Sequence, residues 1–248
     1  MFPIRDHNPS GRTPFVTYAL IAANIAIFLT YWFGLQSEQT LNEFFYRYGI
    51  VPQYVMAGEN LPSLITHMFL HAGWMHLAGN MLFLWIFGDN LEDLMGPVKF
   101  LGFYVLAGFA AAGLQVAADP ASLVPMVGAS GAIAGVLGGY LLLFPRARVD
   151  VVIILIIIFK VFPIPAWIML GLWFGIQVVS GVVTPSDGGG VAYWAHAGGF
   201  IAGMVLCAPL WQRMGGIAFW HRNHGKPAHP PAEYTLGKSR IPTVVRRK

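Results

Sequence analysis

Residues 15–34 read FVTYALIAANIAIFLTYWFG, twenty consecutive residues without a charge. At about 1.5 Å per residue such a helix is about 30 Å long, the thickness of a bilayer's hydrocarbon core. The rest of the chain agrees with that solvent. Of 248 residues, 56% are hydrophobic and 10% charged, against about 25% charged in soluble domains. That is too little charge to coat a water-facing surface, and too much apolar surface for intrinsic disorder. Cys207 is the only cysteine, which excludes a disulfide scaffold. Residues 1–14 form a short polar start with Pro3, Asp6 and Pro9. A secretory signal has a shorter apolar core and a small-residue cleavage site, so the first helix is read as retained.

Further spans are expected at about Trp74–Leu94, Val98–Ala118, Gly128–Phe144, Trp167–Val183 and Tyr193–Leu210. The expected fold is an all-α membrane protein, a six-transmembrane-helix bundle over residues 15–210. Leu35–Pro62, with scattered charge and the aromatics Phe44, Phe45, Tyr46 and Tyr48, reads as an interfacial segment or an ordinary loop. Val151–Phe159 is apolar but too short to cross alone, and Lys160, Pro163 and Pro165 end it. It reads as an interfacial or re-entrant piece, with a seventh, tilted span as the alternative.

Charge orients the bundle. The segment 211–248 carries Arg213, Arg222, Lys226, Lys238, Arg240, Arg246, Arg247 and Lys248. Arg5 and Arg12 lie at the start, and Arg146, Arg148 and Lys160 follow span four. The alternate loops hold Arg47 alone beside Glu38, Glu43, Glu59, Asp119 and Asp187. The positive-inside rule then places both termini in the cytoplasm, as six spans require. The proline-containing tail is expected to be disordered and near anionic lipid headgroups. Nothing supports nucleic-acid binding.

Polar residues at membrane depth are costly and so are candidates for function. They are His67, His71, His76 and Asn80 around the entry of span two, Ser130 at the start of span four, and His196 early in span six. Asn24 and Gln177 read as bonds between helices. Spans two, four and six all run from outside to inside, so His76, Ser130 and His196 fall at similar depth and can meet. Singly, each has a plainer reading: a serine bonding its own helix, a histidine serving structure.

Glycines flank Ser130 at Gly128 and Gly131, exposing the hydroxyl, and a helix N-terminus favours developing negative charge. Gly131, Gly135 and Gly139 form one stripe; Ala195, Gly199 and Gly203 form another. Small residues at this spacing let helices pack backbone to backbone, bringing His196 to Ser130. A neutral imidazole can then act as base for the hydroxyl. Asp89, Glu92 and Asp93 lie at the wrong end of span two, so the expectation is a Ser–His dyad without a buried acid. His76 and Asn80, four apart on one face, can donate to an oxyanion with the Ser130 amide.

These residues resemble the rhomboid family of intramembrane serine proteases. Gly128-Ala129-Ser130-Gly131 resembles its nucleophile motif, and Ala195-His196-Ala197-Gly198-Gly199 with Gly203 its base motif. His76-Leu77-Ala78-Gly79-Asn80 resembles its oxyanion motif, preceded by His67 and His71. Gly88-Asp89-Asn90-Leu91-Glu92-Asp93 with Gly96 resembles the end of its second span. The resemblance covers roughly Ser63–Leu210. It implies six helices, a site open to the non-cytoplasmic side of a cell inner or plasma membrane, and cleavage of transmembrane substrates near small residues, without cofactor or metal. One departure is Ala134, where some members carry an aromatic that stacks on the base.

Water must reach such a site. His67 and His71 either line a cavity or tie the first loop to span two. Thr184–Gly190, with three consecutive glycines, is either a mobile cover or a plain linker. Span five, with Trp173 and Phe174, is the candidate lateral gate. Three rivals remain: a histidine-ligated metal or haem protein using His67, His71 and His76, a transporter or channel, and a catalytically silent scaffold of the same fold.

Overall fold

The computed structural model describes residues 2–35, 37–155, 158–184, 190–227 and 230–232. The chain begins with strand β1 (Phe2–Asp6) and helix α1 (Phe15–Gly34). The stretch that follows, read as interfacial segment or loop, is helical: α2 (Glu38–Tyr48), α3 (Pro52–Met56) and α4 (Ser63–Thr66), the last leading into a single 3₁₀ turn at His67–Phe69. Ser37 caps α2 by accepting from the Thr40 amide. Then come α5 (Trp74–Met95), α6 (Pro97–Ala118), α7 (Ser130–Leu143), strands β2 (Arg148–Leu155) and β3 (Ile158–Pro165), α8 (Ala166–Val183), α9 (Tyr193–Arg213) and α10 (Ile217–Asn223).

Helices α1, α6, α8 and α9 are each long and apolar enough to cross a membrane. In lipid every backbone polar group must bond internally, which selects helices. Helix α5 is as long but carries His76, Asn80, Asp89, Asn90, Glu92 and Asp93. Helix α7 is shorter, and Gly131–Tyr140 is buried on every face. It is the centre of the bundle, packed between α6 and α9 and flanked by α5.

The chain is mostly helical, but not all-α as expected. Strands β1, β2 and β3 form one antiparallel sheet in that order. Val151–Phe159 is therefore part of a hairpin rather than a re-entrant piece or a seventh span. Its register runs from Arg148 opposite Pro165 to Leu155 opposite Ile158. The run is dominated by β-branched Val and Ile, which suit a pleated strand better than a helix. β1 joins through a register shift between Pro3 and Arg5. Asp150 holds it there, accepting from Arg5 Nε at 2.7 Å and meeting His7 Nε2 at 2.8 Å. Burial alone would raise the Asp150 carboxyl; His7 and Arg5 outweigh that and hold it below its ordinary value.

The acidic end of α5 organises the N-terminal segment. Glu92 is buried and caps α1 from outside, accepting from the amides of Val16 and Thr17 at 2.9 and 2.8 Å and from the Thr17 hydroxyl at 2.8 Å. A carboxylate at free helix amides also complements the helix dipole. Asp93 accepts from the Gly11 amide, and Asn90 donates to the Asn8 carbonyl. Asp6 accepts from the Tyr140 hydroxyl of α7 at 2.7 Å.

The segment after Leu210, expected to be disordered, is ordered at its start. α9 continues to Arg213, α10 follows, and the Trp220 indole donates to the Leu142 carbonyl. The Ala232 amide donates to the His7 carbonyl. Residues 233–248 lie outside the described residues.

Candidate active site

Ser130 is the first residue of α7. The chain turns into it at Gly128, whose φ of +133° L side chains rarely adopt. A Cβ there would stand 2.8 Å from His76 Nε2 and 3.5 Å from Ser130 Oγ. Glycine keeps the space between those two groups open. The Gly128 amide donates to the His67 carbonyl at 2.9 Å, which fixes the turn.

His196 lies in the first turn of α9. Its Nε2 is 2.8 Å from Ser130 Oγ and its Nδ1 is 2.7 Å from Gln177 Oε1 on α8. The two helices meet almost without side chains between them. A Cβ on Gly199 would be 2.9 Å from the Gly131 carbonyl carbon, and one on Gly203 2.6 Å from Gly135 Cα, each nearer still to the carbonyl oxygen. The two stripes do not face each other symmetrically, however. Gly131 and Gly135 themselves clear Ala111 and Ala107 of α6, while their carbonyls face α9. The small residues on α7 thus serve a second neighbour.

His76 Nδ1 faces the Ala72 amide at 3.3 Å. An amide only donates, so this nitrogen accepts and the proton sits on Nε2, aimed at Gly128. Asn80, one turn on, is buried with no partner for its Nδ2 among the described residues. Both side chains line a cavity of about 710 Å³ together with Ser130, His196, Gln115 and Trp173. The first amides of α7, at a helix N-terminus, have no carbonyl within the helix to bond.

His67 and His71 do not line that cavity. His67 Nδ1 bonds the Ser63 carbonyl. The Tyr31 hydroxyl of α1 bonds both the amide and the carbonyl of His71 at 2.7 Å. They tie the first loop to its neighbours, and the His71 ring stands edge-on to His76 at 5.0 Å. No three His, Cys, Asp or Glu side chains gather as a metal-ligand set among the described residues.

Asn24 donates within its own helix, to the Leu20 carbonyl, and bonds no neighbouring helix among the described residues. Ala134 is fully buried, and its Cβ would be 3.3 Å from one on Gly199. Ala134 also lines the cavity and presents no ring to the imidazole. Trp173 of α8 supplies the ring contact instead, 5.7 Å from the imidazole with a 33° tilt. Gln115 was not singled out from sequence; its Oε1 accepts from the Ala195 amide at 3.1 Å and holds the start of α9. Gln177 and Trp173 are four apart, one helix face, which is the signal that could have linked both to His196. The cover expected at Thr184–Gly190 falls largely on residues 185–189, outside the described residues; Thr184 and Gly190 lie at the cavity.

The sequence matches the Rhomboid domain over residues 58–213. It is similar to "Rhomboid protein 1, mitochondrial" of Saccharomyces cerevisiae, 31% identical over 199 residues, covering 77% of this chain and 51% of that one. Rhomboid protease GluP of Bacillus subtilis is 30% identical over 204 residues, covering 79% of this chain and 35% of that one. The putative rhomboid protease YdcA of Bacillus subtilis is 40% identical over 78 residues, 32% of this chain and 39% of that one. The chain spans about half the length of these relatives or less. One of the three is named for the mitochondrion and none for a plasma membrane, so the plasma-membrane expectation gains no support from them. The matched region spans well over half the chain and includes Ser130, His196, His76 and Asn80: this integral membrane protein belongs to the rhomboid family.

Proposed function

We propose that this protein is an intramembrane serine endopeptidase acting on transmembrane proteins. The observation that carries the reading is the 2.8 Å contact between Ser130 Oγ and His196 Nε2 inside a cavity that also holds the unpartnered Asn80 amide. As Oγ attacks the scissile carbonyl carbon, its proton passes to Nε2. His76 Nε2–H, Asn80 Nδ2–H and the Ser130 amide stabilise the oxyanion. The C–N bond breaks as Nε2 returns the proton to the leaving amine, giving an acyl-enzyme; water, deprotonated by the same nitrogen, releases it.

The proposal includes six spans formed by α1, α5, α6, α7, α8 and α9, with both termini cytoplasmic and the sheet on that side. The cavity then opens to the opposite side, and the basic segment after Leu210 lies near anionic headgroups. Span five remains the candidate lateral gate, since Trp173 and Phe174 close it against Phe200. The test is cleavage of a model transmembrane substrate by purified protein, with labelling of Ser130 by a fluorophosphonate. Ser130→Ala and His196→Ala are each expected to abolish cleavage while the fold persists. Cleavage at the normal rate by Ser130→Ala refutes the proposal, and a folded, inert wild type favours the scaffold reading.

A further inference from the structure

We infer that Gln177 is a positioning residue that fixes the tautomer of His196, so that the unit is Ser130–His196–Gln177 and not a bare dyad. The inference rests on the protease reading for its catalytic consequence only. Its geometric basis is a chain of donors and acceptors with one consistent solution.

The chain starts at the Trp173 carbonyl. A carbonyl oxygen only accepts. The Gln177 amide nitrogen lies 3.4 Å from it, so the NH₂ end of the carboxamide belongs on that side. A flipped amide would set two acceptors against each other. Gln177 Oε1 must then face His196 Nδ1, at 2.7 Å. Oε1 also only accepts, so Nδ1 carries the proton. The neutral imidazole has one proton, which leaves Nε2 a bare lone pair, 2.8 Å from Ser130 Oγ. That is the form that can take the hydroxyl proton. The other tautomer would present a donor to the nucleophile and leave Nδ1 and Oε1 as opposed acceptors.

A carboxylate at this place would do the same orienting work, as in acid-bearing triads, but would put a charge on a buried helix face between two spans. A carboxamide supplies the acceptor without the charge. Trp173, one turn before Gln177, covers the imidazole face, so α8 contributes both the edge contact and the face contact that hold the ring.

Two variants separate orientation from packing. Gln177→Leu keeps the bulk and removes the acceptor; Gln177→Glu keeps an acceptor of the same reach. The expected result is that Gln177→Leu lowers kcat about tenfold, about 1.4 kcal/mol in barrier, with KM unchanged, and slows fluorophosphonate labelling of Ser130 by the same factor. Gln177→Glu, which keeps the acceptor at the cost of a buried charge, is expected to lose less than Gln177→Leu. A packing role predicts the reverse order, Leu tolerated and Glu damaging, and that order overturns the inference. A second measurement does not depend on activity or on the Glu variant folding. In full-length protein with ¹⁵N-labelled histidine in micelles, His196, assigned by loss of its signals in His196→Ala, is expected as the Nδ1–H tautomer, shifting toward a mixture in Gln177→Leu. A wild-type Nε2–H tautomer overturns the inference. Wild-type protein that neither cleaves nor labels would refute the protease reading, and the tautomer measurement would still decide the role of Gln177.

Discussion

The tightest constraint on the site is the contact between α7 and α9, and Gly199→Ala tests it. The new Cβ would lie 2.9 Å from the Gly131 carbonyl carbon, closer to its oxygen, and 3.3 Å from Ala134 Cβ. Ordinary contact needs about 3.5 Å. The obstacle is backbone inside a buried helix, so relief must come from α9 moving by roughly 1 Å. His196 lies one turn before Gly199, and Ser130 is next to Gly131, so the displacement falls at the level of the 2.8 Å hydrogen bond. Stretching it toward 3.8 Å ends it. A misplacement of that size costs about 100-fold in rate, and overpacking costs about 1–3 kcal/mol in stability. The assay is the rate of fluorophosphonate labelling, with thermal unfolding in detergent beside it. Gly171→Ala on α8, where a Cβ meets nothing within 4 Å, is the control and should behave as wild type. Labelling of Gly199→Ala at the wild-type rate would refute the argument that backbone contact at this turn aligns the pair.

Glu92→Ala leaves the buried Thr17 amide, the half-buried Val16 amide and the Thr17 hydroxyl at the start of α1 without their acceptor; a loss of about 2–3 kcal/mol is expected, read as a lower unfolding temperature, and an unchanged one would count against the capping role. Burial pushes the Asp6 carboxyl up to about 8. The folded state then binds a proton that the unfolded state releases near pH 4, so stability should fall as pH rises from about 4 to about 8 and level off above. Asp6→Asn, which still accepts from Tyr140, should flatten that part of the profile; a parallel fall in both proteins would refute it.

The helices were legible because lipid imposes a simple rule on length and polarity, and the boundaries of α1 and the starts of α5 and α9 follow from it. That Ser130, His196, His76 and Asn80 gather at one cavity was legible because a polar residue at depth has few cheap explanations. The sheet was not. Val151–Phe159 is so uniformly apolar that alternation, the usual strand signal, is absent, and its partner β1 lies almost 150 residues away. Gln177 reads in the sequence as a bond between helices, which it is, but what that bond does depends on which atom of which helix it meets. Ala134 pointed to a missing ring on the base but not to Trp173, since helix rotation is set by tertiary packing. The acidic end of α5 reads in the sequence only as lying at the wrong end of span two for catalysis; its role in seating α1 is visible in the structure alone.

The shortness of α7 bears on how water reaches Ser130. Fourteen residues span about 21 Å, while a hydrocarbon core is about 30 Å thick. With α7 as one of the six proposed spans, the deficit of roughly 9 Å must appear at one end. The C-terminal end is anchored: Tyr140 bonds Asp6 of β1, and four residues after α7 the chain enters β2 of the same sheet. A sheet with Arg5, Arg148 and Asp150 belongs at or beyond the membrane surface, which fixes that end of α7 near one interface. The shortfall then falls at the Ser130 end, where the cavity lies. On the proposed topology Ser130 would sit below the far surface because its helix stops early. Lengthening α7 at its N-terminus would raise the serine but close the route by which water arrives. On the protease reading, the glycine at 128 and the short helix are thus two parts of one solution, a turn that frees the hydroxyl and a gap that would hydrate it.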